Sequence, residues 1–135
     1  MIKTSILSTG GLPLPIYLPS DAEEFEAHGS RFASFLRTAR GASSLCAWRL
    51  DVAPDVQGVL HRPDHEEVIL LLSGRLQVTL DGDRETAEAG AVIHVPAGSE
   101  FRVDGGPDGA AAWVTTTAGL TATVGERTMA PPWAQ

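Results

Sequence analysis

The sequence predicts an all-β domain, an antiparallel sandwich or barrel carrying one short N-terminal helix. Three observations predict it. Short segments with period-two alternation of apolar and polar residues recur along the chain after Gly29. Clusters of turn-forming residues separate them, DGD at 81–83 and DGGPDG at 104–109 among them. A single helix-start signal stands near the beginning, in PSDAEEFEAHG at 19–29.

In that first segment Ser20 is placed to cap the helix, Glu23 completes a capping box and Gly29 stops it, giving about two turns with His28 near the favourable C-terminal end of the dipole. Cys46, Trp48, Leu50 and Val52 then alternate with Ala47, Arg49 and Asp51, so one strand face is apolar. The run Val68–Leu72 is apolar at every position, as in a strand covered on both faces. Leu76, Val78 and Leu80 alternate with Arg75, Gln77 and Thr79 up to the DGD turn. Residues 91–95 form a strand ended by Pro96, and DGGPDG is a turn before a strand at 111–117 that makes Trp113 a core residue. Residues 120–128 are a final hairpin arm, and Pro131, Pro132 and Trp133 form a stiff tail that packs a tryptophan on the barrel. The organisation expected is an N-terminal extension over 1–40 with the short helix and a first strand, a barrel over 41–128 and a packing tail over 129–135.

Composition removes several classes of function. A net charge of -7 and the lack of any Lys/Arg cluster argue against nucleic acid as a partner. Lys3 is the only lysine, which disfavours Schiff-base chemistry. Cys46 is the only cysteine, so no intramolecular disulfide or cysteine-rich zinc module forms and a reducing cytoplasm is the expected location. The apolar start of the chain is interrupted by Thr9, Gly10, Gly11, Pro13 and Pro15, unlike a secretory leader. The longest aliphatic run, Val68–Leu72, is far short of the ~20 residues that cross a bilayer, so no membrane partner is expected.

The segment HRPDHEE at 61–67 carries two histidines and two adjacent glutamates ahead of a strand. Its spacing is specific. His61, Glu67 and Gly74, followed by Gly90, Pro96 and Gly98, match the intervals G-x5-H-x-H-x3,4-E-x6-G and G-x5-P-x-G-x2-H-x3-N. In this the chain resembles the cupin superfamily over about residues 46–117. The resemblance implies a small jelly-roll β-barrel, commonly a homodimer, whose mouth holds a ligand or a divalent metal.

Carried over position by position, the resemblance puts the family's first histidine at His61 and its carboxylate at Glu67. The second histidine falls on Pro63, the histidine of the second motif on Phe101, the opening glycine on Asp55 and the closing asparagine on Gly105. Two ligands are fewer than catalytic metal sites use. No cofactor is therefore expected; if a divalent metal (Fe, Zn, Mn or Ni) is bound, His61, Glu67 and His65 are its ligands, with His94 the alternative third. His94 otherwise reads as a packed, hydrogen-bonded histidine.

Without a metal, Phe101, Ile69 and Leu71 make the surroundings of Glu67 apolar, which raises a carboxyl pKa toward the range useful in proton transfer. Glu67, His61 and His65 are the candidate catalytic residues; Phe101, His94, Gln77, Trp48 and Arg49 are candidate ligand contacts, with Arg62 a further wall residue. Cupins of this kind include sugar epimerases, lyases and polyketide cyclases. The resemblance thus implies a small-molecule enzyme for isomerisation, cyclisation or dehydration of an oxygenated, hydrophobic, polyketide-like substrate. A metal-dependent oxygenase and a non-enzymatic ligand sensor are the alternatives.

Overall fold

The structure is a computed structural model that describes residues 15–135; the readings on Lys3 and the interrupted apolar start lie outside them. Among the described residues ten strands run in chain order: β1 (Glu23–Ala27), β2 (Ser30–Leu36), β3 (Leu45–Val52), β4 (Arg62–Pro63), β5 (Glu67–Leu80), β6 (Asp83–Glu88), β7 (Val92–Val95), β8 (Phe101–Thr117), β9 (Ala122–Val124) and β10 (Arg127–Met129). They form a seven-stranded sheet ordered β1-β2-β3-β8-β5-β6, with β7 also paired to β5, and a three-stranded sheet ordered β10-β9-β4. All pairings given by register are antiparallel.

The core follows the alternation read from β3: Cys46, Trp48, Leu50 and Val52 are buried, while Arg49 is exposed. Ile69, Leu71, Leu76, Val95, Val114 and Phe101 join them from the other strands. The DGD turn closes the β5–β6 hairpin, with Asp81 and Gly82 both at positive φ (49° and 88°), as the two-residue turns that match strand twist require. Trp133 stacks on Phe32 with ring centroids 3.8 Å apart and planes 13° from parallel, and Cys46 Sγ–H donates to the Ala134 carbonyl.

Four expectations are corrected. The predicted helix over 20–29 is absent: one 3-10 turn, Pro19–Asp21, is followed by β1, which pairs with β2 as Phe25↔Phe32. A two-turn helix is too short to stabilise its own nucleation, whereas the strand gains a ladder and brings Phe25 within 6.2 Å of the Trp133 ring. His28 and Gly29, at φ 53° and 78°, are the hairpin turn and not a helix end. DGGPDG is not a turn between strands but a wide bulge inside β8: Gly105 pairs with Leu76 and Ala110 with Gly74, so residues 106–109 stand opposite Arg75 alone. The backbones cross so closely there that a Cβ on Gly74 would lie 2.1 Å from the Gly109 carbonyl oxygen.

The remaining two corrections concern the outer sheet face. Val68, Leu70 and Leu72 are 43%, 39% and 43% exposed, so β5 is covered on one face only. Trp113, read as core, also faces outward, half-buried against Phe35 at 5.3 Å. An unbroken apolar run does not tell a buried face from a sticky exposed one.

Candidate functional site

The inward faces of β3, β5 and β8 meet the C-terminal segment around a cavity of about 150 Å3, walled mainly by apolar and aromatic side chains such as Phe32, Ile69, Phe101 and Trp133. Glu67 enters it from the first residue of β5, flanked in register by Thr116 of β8 and Val95 of β7. The strand's period-two pleat puts Glu67, Ile69 and Leu71 on this one face. Glu67 is 7% exposed, and its carboxyl makes no hydrogen bond or ion pair among the described residues. Burial alone therefore pushes its pKa up to about 7.

His61 lies on the same wall. It forms an isolated bridge with Phe101, each backbone N–H donating to the other's carbonyl at 3.0 and 2.8 Å, and the two rings meet edge to face at 5.5 Å. Nδ1 stands 2.8 Å from the Val59 carbonyl, which only accepts, so Nδ1 carries the proton of the neutral ring and Nε2 is left as the base. Burial holds the His61 pKa below its usual value; the bond to Val59 opposes this and the nearby His28 adds to it. Two titratable groups in one apolar chamber are thus both biased toward their neutral forms.

The other expected residues are dispersed. Trp48 and Phe101 wall the cavity as expected. The second histidine of HRPDHEE does not: His65 Nδ1 lies 3.1 Å from the Thr117 carbonyl, and His65 is not part of the wall. Asp64 accepts from the N–H and hydroxyl of Thr121 (2.7 and 2.8 Å), fixing the chain turn that carries His65 outward. His94 is exposed and bonds Glu66 across the β5–β7 pair. Gln77 donates to Thr86 on the outer surface of the β5–β6 hairpin, and Arg62 bonds the Gly98 carbonyl. Arg49 pairs with Asp51 in a separate, open groove on the outer face. His28, read as a helix residue, stands on the cavity rim, beside Ala27 and Ser30; only recognition of the hairpin turn would have revealed it.

The sequence of residues 48–117, more than half of the chain, matches the family model of the cupin domain. The chain belongs to the cupin family. No curated protein matches it at a significant level. Among solved structures, this cupin is similar to the polyketide cyclase RemF from Streptomyces resistomycificus, with 18% identity, a TM-score of 0.70 and coverage of 86% of this chain and 84% of that one. A sugar phosphate isomerase of the cupin superfamily from Silicibacter pomeroyi gives 15% identity and a TM-score of 0.66 over 83% and 85% of the two chains. An oxalate decarboxylase from Lactobacillus farciminis gives 17% identity and a TM-score of 0.66, covering 75% of this chain but 32% of that longer one. Identities this low establish the shared fold.

The side chains present do not fit the divalent metal that the cupin motifs usually hold. At the four ligand positions stand His61, Pro63, Glu67 and Phe101; Pro63 and Phe101 are buried and have no donor atom to offer. No group of three or more His, Cys, Asp or Glu side chains is placed to hold a metal among the described residues. Asp55, at the family's opening glycine, adopts φ 58°, a left-handed conformation that Asp tolerates better than most residues. The barrel frame is thus kept where the ligand set is not.

Proposed function

We propose that this cupin is an enzyme that moves protons on an oxygenated, hydrophobic small molecule, by acid–base chemistry of Glu67 and His61 with no step through a metal. The observation that carries the reading is the unpaired, buried carboxyl of Glu67, with a pKa near 7, sharing an apolar cavity with a histidine of lowered pKa. Groups pushed toward neutrality in this way divide the roles: the protonated carboxyl is the acid and the neutral imidazole is the base.

Glu67 donates its proton to a carbonyl oxygen of the substrate while His61 Nε2 removes a proton from the adjacent carbon, giving an enol. Return of the proton to a different carbon completes an isomerisation. Attack of the enol carbon on a second carbonyl completes a cyclisation, and departure of a protonated β-hydroxyl as water completes a dehydration. Phe101 contributes an apolar surface that keeps water from both groups. RemF is a polyketide cyclase, which supports a substrate of that general character.

The reaction is tested without knowing the substrate by following exchange of α-protons for deuterium in a panel of cyclic ketones and diketones. Glu67→Gln should abolish exchange while the fold is retained. Exchange that persists in the variant removes the mechanism, and an absence of exchange in the wild-type protein leaves the same cavity as that of a ligand-binding cupin. The protein is further proposed to act in the cytoplasm as a homodimer, a pairing supported by the exposed apolar strip of Val68, Leu70, Leu72 and Val92.

A further inference from the structure

We propose that Met129 sets the size limit of the ligand, closing the chamber to compounds larger than one ring, and that the β9–β10 hairpin carrying it is the lip that yields on entry. The inference rests on the acid–base cavity above being a ligand site, and adds where a ligand enters it and how large that ligand is. Among the described residues that wall the cavity, only His28 and Met129 are exposed. The mouth therefore lies between the β1–β2 turn and the β9–β10 hairpin. Met129 is 42% exposed, so its side chain meets the chamber on one side and water on the other.

The two lips are held differently. His28 is carried by the turn of the β1–β2 hairpin, five residue pairs long and part of the seven-stranded sheet. That turn is seated: a Cβ on Gly29 would lie 2.9 Å from Val56 Cγ2, and the Val56 carbonyl in turn accepts from the Gly105 N–H at 2.8 Å. On the other side, β9 is joined to β4 by two pairs, Arg62↔Thr123 and Pro63↔Ala122, and β10 pairs with β9 alone. Residues 125–129 make no hydrogen bond or ion pair beyond β9 among the described residues, and a Cβ on Gly125 in the turn would meet nothing within 4 Å. A segment with so few attachments opens more readily than the sheet it adjoins, which is the property of a gating element.

Strand parity aims one face of this hairpin inward. Ala122 and Val124 share a face of β9, and Met129, paired with Ala122, lies on the same face. All three wall the cavity. Thr123 and Thr128, paired on the opposite face, meet through their hydroxyls at 3.3 Å. A thioether suits the mouth, because an unbranched side chain with several rotatable bonds repacks against ligands of different outline. The closed chamber of about 150 Å3 suits one ring, since an apolar cavity of about that size accepts benzene. A second fused ring has to displace Met129.

Two ketones test the limit, acetophenone with one ring and 2-acetonaphthone with two, each titrated into protein carrying 13C-methyl methionine. The chain has two methionines, Met1 and Met129, so the signal missing from Met129→Leu is that of Met129. Acetophenone should bind the wild-type protein and move the Met129 methyl resonance. 2-Acetonaphthone should bind about tenfold more weakly, within the cost of overfilling a closed apolar site. Met129→Ala should remove that difference while acetophenone still binds. Hydrogen exchange of the β10 amides should slow when acetophenone is bound. Failure of acetophenone to bind, an unmoved Met129 methyl, equal affinity of the wild-type protein for the two ketones, an unchanged preference in Met129→Ala, or β10 exchange indifferent to ligand would each overturn the inference. The methyl resonance is read on the wild-type protein, so the test stands even if the variant folds poorly. A lost size preference with proton exchange that still depends on Glu67 removes only this inference, and a size preference kept without any such exchange removes only the acid–base reading.

Discussion

Replacing Glu67 with Gln should make the protein more stable at neutral and alkaline pH, an unusual outcome for a buried polar position. The folded state holds the Glu67 proton up to about pH 7, whereas an ordinary glutamate releases it near 4.5. Between those values the folded chain binds the extra proton, so its contribution is fully present below about 4.5 and is lost as pH rises through about 7. At about 1.4 kcal/mol per pH unit, the span from 4.5 to about 7 gives about 3.5 kcal/mol. Gln is close in shape to the protonated acid and does not titrate. Stabilities of the two proteins should therefore nearly coincide below about pH 4.5, diverge progressively above it, and differ by about 3.5 kcal/mol above about pH 7, on the order of 10 °C in melting temperature. Urea titrations of both proteins across that pH range measure the difference directly, because every other group titrates alike in the two. A difference that stays constant with pH would refute the claim that Glu67 is held as the neutral acid, and with it the assignment of the proton donor.

The same two groups set a pH profile for turnover. The rate should fall on the alkaline side with a midpoint near 7 as Glu67 ionises, and on the acid side with a midpoint below the usual histidine value as His61 is protonated; a rate still rising above pH 8 would contradict these roles. Protein purified without chelator should carry Fe, Zn, Mn or Ni well below one equivalent by elemental analysis. A stoichiometric metal that disappears in His61→Ala would favour the oxygenase alternative. Leu70→Glu should shift a homodimer to monomer in light scattering, since Leu70 is at the centre of the exposed strip beside Val92. An unchanged mass at micromolar concentration would place the interface elsewhere.

The strands were legible wherever one face is buried. The alternation of Cys46, Trp48, Leu50 and Val52 survives intact because their burial and the pleat enforce the same period. Residues 20–29 misled because capping chemistry is local, while β1 is held by a partner strand and by Trp133, which lies over a hundred residues further along the chain. Of the site, Glu67, His61, Phe101 and Trp48 were found because family spacing or strand parity points inward at them. His65 was not resolvable in that way: Pro63 pairs with Ala122 and Asp64 bonds Thr121, so the chain rotates between His61 and Glu67 and parity does not carry through. The rim position of His28 leaves no mark in a single sequence, because it depends on which segments lie across the cavity.

The neutrality of the chamber bears on how fast a ligand arrives. The chain carries a net charge of -7, yet among the described residues the cavity wall has no Arg, Lys or Asp; its ionisable groups are Glu67, held protonated in mild acid, and the histidines His28 and His61. A neutral ligand therefore meets no steering field, and its capture should be almost indifferent to ionic strength. Residence time, set by contact with the apolar and aromatic wall, becomes the quantity through which this barrel discriminates among the neutral molecules that reach it.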